Sequence, residues 1–558
     1  VAVRKSERFS KVETARRPFS PQLLSWIEAR ALWLAVALVV LGSIRIVLTY
    51  TVFNHTSDEP AHVACGMEWL DKGIYQWEPQ HPPLARVAAA LPLYLAGLRS
   101  QNTRRDLRFA MSLEGAAILY SNHQYERNLA LARLGILPFF WLACAVVYAW
   151  GARYFRPAVA LTAVFLFSMV PTVLAHAGLA TTDMALTATL GAAFLAGLIW
   201  IESPTSRNAV WFGAATGLMT VSKFSALAFF PASAAVALGW CVYRERPGWQ
   251  ALARWTRDRV PSFAVAVAAG ALLIWAVYRF SFGDAGFFHL RLPAPELYAG
   301  IRQVMDHNAG GQESYLLGER SQTGFWLFFP VALAVKSPLA FLVLAAVGAV
   351  LVFRKDGGNR NLRIVLAFCV SILAVGMSSR INIGLRHILP IYLGLSLLGA
   401  VAVVTLLEWS DPRPWLRGAL ALLILWLAGS SLRSHPDYLA YFNETAGSEP
   451  EKILVDSDLD WGQDLKRLAS RLREVGATGV AFDRYILGNP EKELGFPPVY
   501  PLDPNAPRVG WNAIGVSVWK ETGLRKWPDF IKPRERVGKS ILLWYFPPAA
   551  SNAGPAQR

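Results

Sequence analysis

The chain of 558 residues is 54% hydrophobic and only 17% charged, with a mean hydropathy of +0.32. A water-soluble domain carries about a quarter charged residues, so a soluble multidomain enzyme, a disordered scaffold, a disulfide-stapled secreted module and a nucleic-acid binder are excluded. The 55 Lys and Arg outnumber the 39 Asp and Glu to give a formal net charge of +16, which in a chain of apolar runs reads as basic loops facing membrane lipids.

The first thirty residues hold seven basic groups (Arg4, Lys5, Arg8, Lys11, Arg16, Arg17 and Arg30) and form a basic amino-terminal segment, 1–30. The first apolar run begins near residue 31 and is too long for the core of a cleavable signal peptide. Runs able to cross roughly 30 Å of hydrocarbon predict spans near 31–52, 128–150, 157–175, 182–201, 208–222, 224–243, 261–280, 337–353, 362–378, 385–407 and 415–432. The run 324–335 is too short to cross and reads as an interfacial helix. Arginines cluster in the connections 244–259 and 354–363. With eleven spans these fall on the same side as the amino terminus, which the excess of basic residues makes cytoplasmic.

The opposite face then receives two long outer loops, 53–127 and 281–336, and everything after 432. From 433 to 545 the chain turns polar, and short apolar runs alternate with the helical stretch GQDLKRLASRLREVG (462–476). That pattern predicts a small periplasmic α/β domain, followed by a disordered tail, 546–558. The fold class is therefore an α-helical polytopic membrane protein of about eleven spans with a small carboxy-terminal α/β domain, in a bacterial inner membrane. Cys144, Cys241 and Cys369 lie in apolar runs as packing residues, and Cys65 stands alone. No Cys/His grouping suggests zinc or redox chemistry.

Candidate chemistry gathers in the first outer loop. Asp58 and Glu59 follow the first span directly, and Pro60 suits the first position of a new helix, so both acids read either as helix caps or as functional carboxylates. Downstream, His81, Pro82 and Pro83 form a rigid turn, with Arg86 one turn into the next apolar stretch. Asp183 opens the fourth span on the same side, as an ordinary first-turn acid or a second acidic site. Arg133, Lys223, Arg386 and His387 lie at span boundaries, where a cation either snorkels to the interface or serves a buried function. The acidic run Asp456, Asp458, Asp460 and Asp464 lacks the glycine and terminal glutamate of a calcium loop. It reads as a strand-end loop and helix cap in preference to a metal site, with contact to an acceptor left open.

The acidic pair after the first helix, the HPPL turn (81–84), the TD opening a later outer-side helix and the large odd-numbered bundle together resemble the GT-C superfamily. Within it the chain is similar to bacterial relatives of the dolichyl-phosphate-mannose–protein mannosyltransferases, glycosyltransferase family 39. The segments 315–339, 381–392 and 455–468 are also similar to bacterial members. The resemblance implies an inverting transfer of mannose, or another hexose or a pentose, from a polyprenyl-phosphate-linked donor to a protein, glycan or lipid acceptor on the periplasmic face. No lumenal β-trefoil insertion interrupts the helices, so a protein acceptor does not follow. A phosphomonoester leaving group has a second pKa near 6 and departs without an acid catalyst, so one carboxylate suffices to take the acceptor proton. Asp58 is the candidate base, with Glu59 beside it orienting a cation such as Arg133. Arg133, Arg386, Lys223 and Arg86 form the pool of donor-phosphate ligands, with the first two ahead. No cofactor is fixed, and a divalent metal is left open. The rival reading is a multi-span transporter or a flippase for lipid-linked substrates. It fits less well, because transporters gather polar groups at the midplane and here they collect at one face.

Overall fold

The computed structural model describes residues 21–286, 290–354, 360–409, 413–483, 493–503, 505–521 and 527–548, with side chains from residue 25 onward. Most of the basic segment 1–30 and of the tail 546–558 therefore lies outside the described residues. Helix α1 (Pro21–Val47) precedes four short helices, α2 (Glu59–Met67), α3 (Pro83–Leu95), α4 (Ala110–Tyr120) and α5 (Tyr125–Leu134), the last running on into α6 (Leu137–Tyr154). Then come α7 (Pro157–Ser168), α8 (Pro171–Ala177), α9 (Asp183–Glu202), α10 (Ser206–Thr220), α11 (Ala226–Glu245) and α12 (Trp249–Val277). A strand pair, β1 (Phe282–Asp284) with β2 (Arg291–Pro293), leads to α13 (Pro295–Gly310) and the hairpin β3 (Ser314–Leu316) and β4 (Glu319–Ser321). The bundle resumes with α14 (Phe328–Lys336), α15 (Leu339–Leu351), α16 (Arg360–Met377), α17 (Ile391–Trp409) and α18 (Pro414–Arg433).

Proline decides where several of these helices start and stop. Its missing N–H is harmless in a first turn, and α2, α3, α7, α8, α13 and α18 all carry proline in their first two positions. Inside an apolar run the same residue breaks the ladder. The single span expected over 157–175 is thus two helices, α7 and α8, bent by 72° ahead of Pro171. The short run at 324–335 becomes α14, which turns through 118° at Ser337–Pro338 into α15. Eleven spans were expected. Among the described residues eight helices are long and apolar enough to cross a membrane, or ten when each bent pair counts as one. The expected span 208–222 is α10, only 15 residues long.

The centre of the bundle is α9 and α17, of whose most apolar windows 72% and 67% is buried, against 17% for α12 and α18. At one end α2 is wedged between α3 and α4. A Cβ on Gly66 would lie 2.0 Å from the Arg86 carbonyl oxygen, and one on Gly115 would lie 1.7 Å from that of Pro60. Both backbones touch because these positions are glycine, and the loop that carries the acidic pair is fixed as a result.

After α18 the chain forms α19 (Leu465–Glu474) and a five-stranded sheet in the order β6–β5–β7–β9–β8. Its strands are β5 (Val480–Phe482), β6 (Val499–Tyr500), β7 (Gly510–Gly515), β8 (Glu535–Val537) and β9 (Ile541–Phe546). β5 runs parallel to β6 and β7, and the remaining pairs are antiparallel. Leu465, Leu468 and Leu472 on one face of α19 pack against Val480, Ala513 and Leu543 of the sheet, the helical spacing that buries a stripe of leucine.

Candidate active site

Asp58 and Glu59 are adjacent in sequence and opposite in environment. Glu59, fully buried, receives Arg133 through a two-pronged pair at 2.8 and 2.9 Å and also accepts the N–H groups of Thr56 and Ala180. Arg133 spends its remaining donors on the carbonyls of Tyr50, Phe53 and Asn54. All five N–H groups of that guanidinium are consumed by the loop leaving α1. Burial pushes the Glu59 carboxyl up, and the Arg133 charge with the two amides overcomes it and holds the group below the ordinary glutamate value.

Asp58 stands at the N-cap position of α2 yet makes no side-chain cap bond. The expected cap is absent, and the carboxylate is 37% exposed and turned to Arg386, whose Nη1 lies 3.2 Å away. The same nitrogen is 3.7 Å from Asp183 at the start of α9, and the other Asp183 oxygen receives Lys223 Nζ at 2.6 Å. Asp58, Arg386, Asp183 and Lys223 therefore form a chain of alternating charge drawn from four separate parts of the sequence. One oxygen of the fully buried Asp183 has no hydrogen-bond partner, and neither has Nε2 of His387.

A cavity of about 440 Å³ opens beside this chain. Lys223, His81 and His387 line it together with an apolar wall that includes Leu227 of α11, Val304 of α13 and Val375 of α16. Pro82 is extended, Pro83 opens α3, and the turn they make brings His81 to this cavity. Arg86 faces away from it. Its guanidinium is buried and donates to His62 Nδ1, Tyr75 Oη and the carbonyls of Glu78 and His81, and it pairs with the Glu78 carboxylate. Of the four cations singled out as phosphate ligands, Lys223 lines the cavity and Arg386 joins it through Asp183. Arg133 and Arg86 are bound up in the loop.

The acidic run 456–464 spreads its carboxylates over backbone amides. Asp458 accepts from Leu385 N at 3.1 Å, Asp460 from Ser517 N at 3.0 Å, and Asp464 from Lys539 N at 3.0 Å. Asp464 occupies the N-cap position of α19 yet caps no helix amide; its carboxylate accepts from Lys539 N, Ser540 Oγ and the Arg467 side chain. Burial pushes Asp456 up to about 7, with Arg386 opposing and Asp58 adding to the rise. Burial likewise pushes Glu521 up to about 9, helped by the charges of Asp456, Asp460 and Glu313. Among the described residues no three His, Cys, Asp or Glu converge as metal ligands. Asp58 and Asp183 each face a cation, so this donor set does not fit a divalent metal.

Sequence reasoning missed Ser457 and Trp461, which touch Arg386 directly. Ser457 Oγ accepts its Nε–H at 3.0 Å, and the Trp461 ring centroid lies 4.1 Å from its Cζ. It also missed Lys336, a buried cation at the α14–α15 break that donates to the carbonyls of Leu439 and Asp458. A lysine just ahead of Ser-Pro within an apolar run was the available signal.

Residues 127–250, from α5 to the start of α12, match the family model described as dolichyl-phosphate-mannose-protein mannosyltransferase. No curated protein sequence matches the chain. Among solved structures the chain is similar to ArnT from Cupriavidus metallidurans bound to undecaprenyl phosphate, with 11% identity and a TM-score of 0.50 over 91% of this chain and 97% of that one. The apo state of the same protein gives 12% identity and a TM-score of 0.49 over 94% and 98%. The oligosaccharyltransferase AglB from Archaeoglobus fulgidus, in complex with an inhibitory peptide and a dolichol-phosphate, gives 12% and 0.45 over 87% and 69%. Residues 127–250 of this multi-pass membrane protein are thus similar to that mannosyltransferase family model, and along nearly its whole length the chain shares the fold of ArnT.

Proposed function

We propose that the chain transfers a sugar, mannose or another hexose or a pentose, from a polyprenyl-phosphate-linked donor to a hydroxyl of a protein, glycan or lipid acceptor. The observation that carries the reading is the charge chain Asp58–Arg386–Asp183–Lys223 beside a cavity with an apolar wall. A half-exposed carboxylate beside Arg386, with Lys223 one ion pair further along the chain, is what this reaction needs. The acceptor oxygen attacks the anomeric carbon from the face opposite the phosphate, inverting it. The new carbon–oxygen bond forms as the bond to the phosphate oxygen breaks, the acceptor proton passes to Asp58, and the electron pair leaves on the polyprenyl phosphate. Arg386 and Lys223 meet the charge that develops there, and Asp183 holds both in place. ArnT was captured with undecaprenyl phosphate, and a prenyl chain suits the apolar wall of the cavity.

In this reading Glu59, Arg133 and Arg86 act by holding the first outer loop, and His81 and His387 flank the bound headgroup. Segment 1–30 is cytoplasmic, 31–432 is the catalytic membrane domain of a bacterial inner membrane, and 433–545 stands on the periplasmic face. The test is sugar transfer in proteoliposomes from a radiolabelled polyprenyl-phosphate mannose, with arabinosyl and glucosyl donors in parallel. Label should reach an acceptor with the wild-type chain and not with Asp58→Asn. Passage of donor across the bilayer without transfer to any acceptor would replace the enzyme reading with a flippase.

A further inference from the structure

Arg386 is held by a part of the chain that the helical bundle does not supply. It sits in a 3-10 turn, Leu385–Ile388, immediately after Gly384. Against that turn lies a second 3-10 turn, Asp456–Asp458, with the residues that follow it to Trp461, from the region beyond α18. Ser457 Oγ accepts from Arg386 Nε at 3.0 Å and donates to the Ile383 carbonyl. The Asp458 carboxylate accepts the Leu385 N–H at 3.1 and 3.3 Å. The Trp461 ring, only 1% exposed, lies under the guanidinium at 4.1 Å. The Trp461 carbonyl oxygen accepts the N–H of Ser57, the residue before Asp58, at 3.1 Å. The two turns are in such close contact that a Cβ at Gly384, whose φ is +150°, would meet Ser457 Oγ at 2.1 Å. Lys336 holds the carbonyl of Asp458 from below.

We infer that the Ser457–Trp461 segment is the positioning device of the site, setting the Arg386 fork and the Asp58 backbone relative to each other. The carboxy-terminal region is then a working part of phosphate recognition. This rests on Arg386 meeting the donor phosphate, as proposed above. The indole face and the serine hydroxyl leave the guanidinium charged but fix its plane, and a bidentate contact depends on that plane.

The test uses the full chain in nanodiscs with undecaprenyl phosphate as the binding probe and sugar transfer as the kinetic readout. Ser457→Ala, Trp461→Leu and Trp461→Phe are made alone and in an Arg386→Lys background. Ser457→Ala and Trp461→Leu should each weaken probe binding and raise donor KM about tenfold, the scale of one charge-assisted hydrogen bond or buried cation–π contact. Trp461→Phe should recover most of that loss. In the Arg386→Lys background the same changes should add little, because the group they position is gone. A merely structural turn would instead give equal losses in both backgrounds, and that result overturns the inference. Unchanged binding and KM in folded Ser457→Ala and Trp461→Phe, alongside an impaired Arg386→Lys, also overturns it and leaves the proposed function standing. An unimpaired Arg386→Lys removes the phosphate role and this inference together. Should Trp461→Leu fail to fold, Ser457→Ala carries the comparison in both backgrounds.

Discussion

Neutralising Asp58 and neutralising Glu59 should produce opposite phenotypes, although the residues are neighbours and the changes are chemically identical. Glu59→Gln leaves Arg133, 1% exposed, without its counter-charge. Removing one partner of a buried pair costs about 3–5 kcal/mol, and the Gln amide would in addition turn N–H groups toward Arg133, Thr56 or Ala180, all of them donors. The variant should lose a large part of its thermal stability. Asp58 is 37% exposed and its contact with Arg386 is 3.2 Å. Arg386 is itself only 7% exposed but keeps the buried Asp183 at 3.7 Å as a counter-charge, so the half-open pair is worth about 1 kcal/mol; no cap bond is lost, and Asp58→Asn should melt within a few degrees of wild type. Its transfer rate should fall by about 10²–10⁴, the usual cost of losing a general base. Thermal unfolding of purified protein in detergent, paired with initial rates of radiolabelled sugar transfer, measures both axes. Near-normal turnover in Asp58→Asn would remove it as the base and make Asp183 the next candidate. A melting loss in Asp58→Asn equal to that of Glu59→Gln would refute the division between an open and a sealed acid.

Arg386→Lys should raise donor KM and slow transfer with little change in melting, whereas Arg133→Lys should lower the melting point and leave donor KM unchanged in the folded fraction; the paired kinetic and thermal measurements check both. Lys223→Met leaves the buried Asp183 with Arg386 at 3.7 Å as its remaining ion pair, so turnover and the melting point should fall together, and Lys223→Arg should restore part of each. Burial and mutual repulsion make Asp456 and Glu521 hold protons more tightly folded than unfolded, so their contribution is complete below the ordinary carboxyl pKa and is lost as pH rises from there through the raised values of the folded pair. Melting points taken across that range should decline, and Asp456→Asn with Glu521→Gln should flatten the curve. An alkaline phosphatase fused after residue 558 should be active and a cytoplasmic reporter inactive; the reverse pattern would invert the orientation and move Asp58 away from the periplasm.

Charge inside apolar runs was the legible part of this sequence. Arg386, Lys223 and Asp183 announce themselves because ions at a membrane boundary are unfavourable without a reason, and the structure does bring them together. The same logic could not separate Arg386 from Arg133. Their difference lies in the carbonyls of Tyr50, Phe53 and Asn54, which saturate Arg133 from a loop that periodicity cannot place. Asp58 as base and Glu59 as the partner of a cation such as Arg133 were separable by the chemistry they would serve, but not that Glu59 is sealed and Asp58 half-open. The bends at Pro171 and Pro338 were visible as prolines but not as angles, since an apolar run has the same composition whether straight or folded back. Ser457 and Trp461 escaped because their partners lie 71 and more residues away in the chain, and no local pattern encodes such a pairing.

The site is closed by the residues just after the first helix and a segment that follows the last one. Asn54, just after the first helix, accepts from Leu465 N at 2.8 Å and donates to the carbonyl of Gly462 at 2.7 Å, contacts that span 411 and 408 positions. A ribosome delivers the Asp58 loop early and the segment that locks it only after every span has been synthesised and inserted. Chains interrupted in translation, or cut anywhere before residue 457, lack the residues that hold Arg386. Under the proposed transfer, competence is gained in one late step of biogenesis, after the last span.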